Sequence, residues 1–184
     1  DVDHGDRPAP SQPMTALQLR SQLQRHLLRP RLRAIRLLVC DVDGVLTDGG
    51  LHYDEDGRVM KRFDVRDGLA VRMLQRAGIE VALLSGGRSG AIEQRARHLD
   101  IAHCRTGVGD KHVGLEQLRR ELEMPREATA FLGDDAAREL RLQADWVLRR
   151  RGGDGVLREF TDALLASKGL LAAVHRHGWR IGNG

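Results

Sequence analysis

Short apolar runs at residues 35–40, 80–84, 101–104 and 128–132 alternate with stretches of helical character at 67–77, 89–98 and 110–122. Runs this short fit strands buried on both faces. The helical stretches between them supply the crossovers that parallel pairing requires. The alternation therefore predicts an α/β fold with a central parallel sheet and helices on both sides, in three layers. Residues 144–148 read as a last strand and 154–167 as a last helix. Before the first strand, Leu17, Leu19, Leu23, Leu27 and Leu28 fall near helical spacing, which predicts an amphipathic helix over 14–29 with a boundary at Pro30.

One segment departs from this rhythm. Asp54-Glu55-Asp56-Gly57 lies between two β-prone stretches, 49–53 and 58–64. Asp-Gly in that setting is a hairpin signal. Directly after the first strand, such a hairpin would hang over that strand's end as a flap. Residues 1–13 are polar, contain three prolines and read as a disordered lead without the apolar stretch of a secretory signal. The expected division is a lead over 1–13, an N-terminal helix over 14–33, the α/β domain over 34–167 and a tail over 168–184. The tail has no clear period. Its His175 and His177 have no acid or cysteine nearby to complete a metal site, and they read as solvated.

Composition narrows the function class. No apolar run approaches the roughly 20 residues that span a bilayer, which argues against a membrane partner. Cys40 and Cys104 stand outside any CxxC pattern. They read as buried free thiols in a reducing, cytoplasmic compartment. The net charge is +4, but aromatic residues make up only 3%. That is too few for a base-stacking platform, so the positive charge argues for small anionic substrates rather than nucleic acid.

Ligands in open α/β sheets bind beyond the carboxyl ends of the strands. Asp41-Val42-Asp43-Gly44 follows the first run, Ser85-Gly86-Gly87-Arg88 the second, Asp110-Lys111 the third, past a loop, and Gly133-Asp134-Asp135 the fourth. Each piece alone has a bland explanation: a loop DxD pair, a Ser-Gly turn, a solvated lysine, a helix-capping aspartate. All of them at strand ends form a set that can bind a hard cation and a phosphate together. Alternation places Asp41 and Asp43 on one side, and Gly44 lets the chain turn sharply. Asp41 can attack phosphorus and form an aspartyl-phosphate. Asp43 can protonate the leaving oxygen and then deprotonate water. Mg2+ held by carboxylates including Asp134 would shield the anionic nucleophile from the anionic phosphate. Ser85 and Lys111 would hold the transferring oxygens.

These residues resemble the motifs of the haloacid dehalogenase superfamily of phosphatases: Asp41 to Gly49 the first, Ser85 the second, Lys111 the third and Gly133-Asp134-Asp135 the fourth. The longer phrases Phe63-Asp64-Val65-Arg66-Asp67-Gly68 and Gly78 to Gly86 resemble the 3-deoxy-D-manno-octulosonate 8-phosphate (KDO 8-phosphate) phosphatase subfamily of lipopolysaccharide biosynthesis. The resemblance covers about residues 33–135 and resumes over 144–166. It implies a Rossmann-like fold without a large cap domain, Mg2+ dependence and a homotetramer whose flap packs on a neighbouring subunit. It implies Asp41 as nucleophile and Asp43 as acid/base, with Asp41, Asp134 and the backbone carbonyl of Asp43 on the metal. It also implies Ser85, Gly86 and Lys111 on the phosphate. Arg66 is a candidate for the sugar-acid carboxylate, with a surface or interface salt bridge as the other reading. A nine-carbon sugar-acid phosphate is the alternative substrate.

The sequence departs from the family in two places. Gly87 stands where the second motif usually has arginine, and Arg88 follows, which leaves open whether Arg88 takes over the role. After Asp135, only residues 136–143 precede Ala144-Asp145-Trp146-Val147. Judged by usual βα units, roughly two dozen residues are absent. Arg138 would weaken cation binding, and Glu139, which could substitute for the further carboxylate usual in the family, is not counted as a ligand. A catalytically impaired module of the same fold is the resulting non-enzyme alternative.

Overall fold

The structure, a computed structural model, describes residues 15–134 and 144–177. In chain order the helices are α1 (Ala16–Leu27), α2 (Arg29–Ala34), α3 (Val65–Arg76), α4 (Gly90–His98), α5 (Lys111–Glu121), α6 (Val156–Lys168) and α7 (Leu171–His177). The strands are β1 (Leu37–Cys40), β2 (His52–Tyr53), β3 (Val59–Met60), β4 (Glu80–Leu84), β5 (His103–Arg105) and β6 (Thr129–Leu132).

Every residue of β1 is buried. A strand apolar throughout needs a neighbour on each edge and a layer on each face. Both are present: β1 pairs in parallel with β4 on one side and with β6 on the other. Parallel β5 then extends the sheet to the order β5-β4-β1-β6. Side chains alternate between the faces as the pleat requires. Leu38, Cys40, Val81 and Leu83 join one core with Leu74 of α3, Ile92 of α4 and Leu164 of α6. Leu37, Val39, Ala82 and Leu84 join a smaller core with Leu118 of α5. The expected α/β sheet with helices on both faces is thus present. Between β4 and β6 the chain order reverses direction across β1. The carboxyl end of β1 is therefore the switch point where such sheets take ligands.

The hairpin is also present. β2 and β3 pair antiparallel, and Asp54 Oδ1 accepts the backbone N–H groups of Asp56 and Arg58 at 3.0 and 2.7 Å. Gly57 takes φ +76°, a conformation that side chains disfavour, so the turn needs glycine there. Pro30 marks the expected boundary. The chain breaks at Leu28, and Pro30 sits in the first turn of α2, where its missing N–H is harmless.

Two expectations fail. Residues 144–148 form no strand. The Val147 N–H donates to Gln24 Oε1 at 3.4 Å, and Trp146 packs on Phe160 with ring centroids 6.0 Å apart. The apolar character of this segment serves the helical layer, not the sheet. The tail is not simply solvated either. Its α7 docks through Val174, 8% exposed, and Leu170 and Leu171 lean on the same core. His175 Nε2 lies 3.3 Å from Arg158 Nη2. Asp135, Arg138 and Glu139, with the whole stretch 135–143, lie outside the described residues, as does the lead over 1–13.

Candidate active site

Three strand ends meet at the switch point. Asp41 follows β1 and is 3% exposed. Its Oδ1 accepts the backbone N–H of Val42 at 2.7 Å, and its Oδ2 holds the ammonium of Lys111. Lys111 is placed by local chemistry: Asp110 caps α5 by accepting the Val113 N–H at 3.0 Å, which makes Lys111 the first residue of the helix. Ser85, fully buried after β4, accepts the Gly87 N–H on its hydroxyl at 3.1 Å. A Cβ on Gly87 would lie 3.0 Å from Asp43 Oδ2 and 3.6 Å from Ser85 Oγ. A side chain at this position, where the family usually has arginine, would therefore press on Asp43. Gly86 is exposed beside them. Arg88 folds back, with Nε 2.2 Å from where a Cβ on Gly107 would stand. It lies along the loop that leads to Lys111.

Asp134 reaches the site from β6. Gly44 has φ +76°, and a Cβ there would lie 2.6 Å from Asp134 Cγ. Only glycine allows both the turn and this approach. Asp41, Asp43, Ser85, Lys111 and Asp134 are thus gathered as their order along the chain implies. Among the described residues no three acidic, histidine or cysteine side chains already converge as a ligand set. Asp41 and Asp43 are each engaged by an ammonium group. The donors are nonetheless all oxygen, and the space that Gly44 leaves open admits the Asp134 carboxylate against the turn that follows Asp43. That chemistry suits a hard divalent cation.

Sequence reading missed the second ammonium. Lys61, just past β3 in the flap, bonds Asp43 Oδ1, and its side chain is only 3% exposed. A signal was available: the chain has 30 basic residues, yet only Lys61, Lys111 and Lys168 are lysines. Two of those three sit on site carboxylates. A lysine offers a compact point charge, unlike the planar fork of a guanidinium.

Arg66 is spoken for. Its guanidinium bonds Asp64 Oδ1 and Oδ2 at 3.0 and 2.9 Å and also holds Asp154. The Arg66 side chain draws the Asp64 carboxyl below its ordinary value. Asp64 also caps α3 through the Arg66 N–H at 2.7 Å. Loop 150–155 was missed as well. The Gly153 N–H donates to Val45 O at 2.9 Å, and Arg62 Nη1 donates to Gly153 O at 3.3 Å. This loop straps the turn at Gly44 and Val45 from behind. Asp67 lies beneath it, 2% exposed, and burial pushes its carboxyl up to about 6. Cys40 and Cys104 are free thiols, both pushed up chiefly by burial. No helix among the described residues is long and apolar enough to cross a membrane.

No family model matches the chain. Individual proteins do. It is 36% identical over 160 residues to the 3-deoxy-D-manno-octulosonate 8-phosphate phosphatase KdsC of Haemophilus influenzae, covering 77% of this chain and 89% of that one. The Yersinia pestis KdsC is 36% identical over 156 residues, covering 75% of this chain and 83% of that one. Among solved structures, a probable YrbI family phosphatase of Pseudomonas syringae pv. phaseolica superposes with a TM-score of 0.78 at 38% identity, covering 82% of this chain and 96% of that one. A KDO 8-phosphate phosphatase of Moraxella catarrhalis, solved with a magnesium ion, a phosphate ion and a KDO molecule, superposes with a TM-score of 0.80 at 27% identity, covering 83% and 98%.

Proposed function

The chain belongs to the KDO 8-phosphate phosphatase family of phosphoric monoester hydrolases, and from that membership we propose that it hydrolyses KDO 8-phosphate to KDO and phosphate. The observation that carries the proposal is Asp41: a buried carboxylate at the switch point with an ammonium on one oxygen. Asp41 attacks phosphorus while the bond to the sugar oxygen breaks, and Asp43 gives that oxygen its proton. Water then attacks the aspartyl-phosphate, Asp43 takes the proton back, and phosphate leaves. Lys111 balances the charge of the nucleophile and of the phosphoryl oxygens. The Ser85 hydroxyl and the Gly86 backbone hold those oxygens, with Arg88 at the margin. Lys61 orients Asp43 from the flap. Asp41, Asp134 and the backbone carbonyl of Asp43 would hold a magnesium ion, which would offset repulsion between carboxylate and phosphate.

Arg66 takes the sugar-acid carboxylate. Asp154, with its side chain 62% exposed, is the partner that a substrate carboxylate would replace on that guanidinium. The hairpin exposes Leu51, Tyr53 and Met60, each more than half exposed, with Val65 at 83%. An apolar patch of this kind fits packing on a neighbouring subunit, and we take the assembly to be a homotetramer. The free thiols fit a cytoplasmic protein.

Phosphate release from eight-carbon and nine-carbon sugar-acid phosphates in Mg2+ tests the reading. A clear preference for KDO 8-phosphate, abolished by Asp41→Asn, is expected. Preference for the nine-carbon ester would replace the substrate. Absence of any Asp41-dependent hydrolysis would leave an inactive module.

A further inference from the structure

Asp67 takes no part in that chemistry, yet it is more deeply enclosed than Asp41 itself, at 2% exposure against 3%. Its Oδ1 accepts the backbone N–H of Arg158 at 3.0 Å, in the first turn of α6, and the backbone amide of Gly155 faces the same carboxylate. Its Oδ2 has no hydrogen-bond partner among the described residues. Helix α6 needs such a group. Its own cap position is Gly155, at φ +82° with no capping side chain. A carboxylate reaching over from α3 supplies both the missing acceptor and a negative charge at the positive end of the helix.

The segment anchored in this way reaches the site. Just upstream of α6, a Cβ on Gly152 would stand 1.9 Å from Gly44 O, and the Gly153 N–H bonds Val45 O at 2.9 Å. On its other side Gly44 meets Asp134, with 2.6 Å between its would-be Cβ and Asp134 Cγ. Asp67, the strap, the Gly44 turn and Asp134 are therefore stacked in direct contact. Close-packed neighbours of this kind transmit small displacements instead of absorbing them.

We propose that Asp67 is a positioning residue for the cation site: from α3 it caps α6, and the strap so anchored holds the Gly44 turn against Asp134. This rests on the reading that Asp41, Asp43 and Asp134 hold a divalent cation. The carboxylate itself touches neither metal nor substrate and acts through the strap. Loss of the cap would let residues 150–155 relax away from Gly44 and spread the three ligands.

The test is Mn2+ binding to the purified full chain, followed by the electron paramagnetic resonance of the free ion, well below the melting temperature of each variant. Asp67→Ala is expected to weaken Mn2+ binding by about 10-fold or more, as supporting groups behind metal ligands do. Asp67→Asn keeps the acceptor oxygen and is expected to stay within about 3-fold of the parent. A merely structural role would lower the melting temperature and leave the affinity of the folded protein unchanged. Equal Mn2+ affinity in Asp67→Ala and the parent overturns the proposal, and so does failure of Asn to rescue. Should Asp67→Ala not fold, Gly152→Ala probes the same stack from its far end by forcing the strap off the Gly44 carbonyl, and unchanged Mn2+ affinity there is equally fatal. A parent chain that hydrolyses KDO 8-phosphate but binds no Mn2+ would remove the cation reading, and this inference with it, while leaving the phosphatase reading intact.

Discussion

Asp41 and Asp134 stand at the ends of adjacent strands, and the protein holds them very differently. Asp41 ends a central strand with neighbours on both edges. It is sealed from solvent, fixed by a backbone N–H and joined by a lysine. Asp134 ends β6, which within the described sheet pairs only with β1, and Phe131 in that strand is 41% exposed. Its carboxylate rests against a glycine. The packing behind the two ends differs in the same sense. Among the described residues β1 places Leu38 and Cys40 in the larger core and Leu37 and Val39 in the smaller one, whereas β6 only leans on the larger core through the partly buried Ala130 and Leu132. Asp41, the proposed nucleophile, is therefore preorganised by the body of the fold, whereas the Asp134 side depends on what leans against it. A carboxylate that attacks phosphorus must already be oriented; a metal ligand tolerates more freedom, because the ion helps to gather it.

The strongest way to break this comparison is to neutralise each carboxylate in turn. Asp41→Asn is expected to lower kcat by about 10⁴-fold or more, as loss of a covalent nucleophile does, with the melting temperature unchanged or raised. Asp134→Asn is expected to cost less in kcat and to show mainly as a higher Mg2+ requirement, measured by titrating Mg2+ into the phosphate-release assay. Equal losses at saturating Mg2+ would erase the distinction between the two ends. Next in size, Leu164→Ala in the large core is expected to cost about 3–5 kcal/mol in urea unfolding, and Leu118→Ala on the thinner face nearer 2 kcal/mol, because a lightly covered site collapses more easily.

Lys61→Met keeps the buried stem and removes the charge on Asp43. A fall in kcat/KM of about 10–100-fold is expected, with little change in melting temperature. A loss of stability without a loss of turnover would reduce Lys61 to packing.

The smallest effect is a pH dependence. Asp67 faces Asp64, Arg66, Arg95, Arg158 and Cys40, and burial raises its carboxyl from 3.8 to about 6. A raised folded value means that protonation favours the fold. That stabilisation is complete below the unfolded value and is lost as pH rises through 6. Between pH 4.5 and 7.5 the parent should therefore lose about 2 kcal/mol relative to Asp67→Asn, read as the difference between their urea unfolding curves at each pH. A difference independent of pH would mean that the carboxyl titrates at its ordinary value.

Much of this was legible in advance because it is written in local chemistry. Short apolar runs gave the strands, Asp-Gly gave the hairpin, and Asp41, Asp43, Ser85, Lys111 and Asp134 each follow a strand. Residues 144–148 misled, because an apolar segment looks the same whether it pairs in a sheet or, as Trp146 does, packs on a helix. Arg66 read equally well as a ligand or as a salt bridge. The structure gives it two carboxylates, Asp64 and Asp154, of which only the first is its neighbour in sequence. Helix α7 was missed because a single buried valine in a basic tail makes no period.

The sequence by itself determined the residue types at the site and their order along the chain, since those follow from strand, turn and cap signals within a few residues. Tertiary structure alone decided that Lys61 lies on Asp43, 18 positions away, that Gly152 backs Gly44, and that Asp67 caps a helix beginning 89 positions later. The reason is physical. Caps and turns are settled by a residue's chain neighbours, whereas the partner of a buried charge is settled by whichever distant segment excludes water from it.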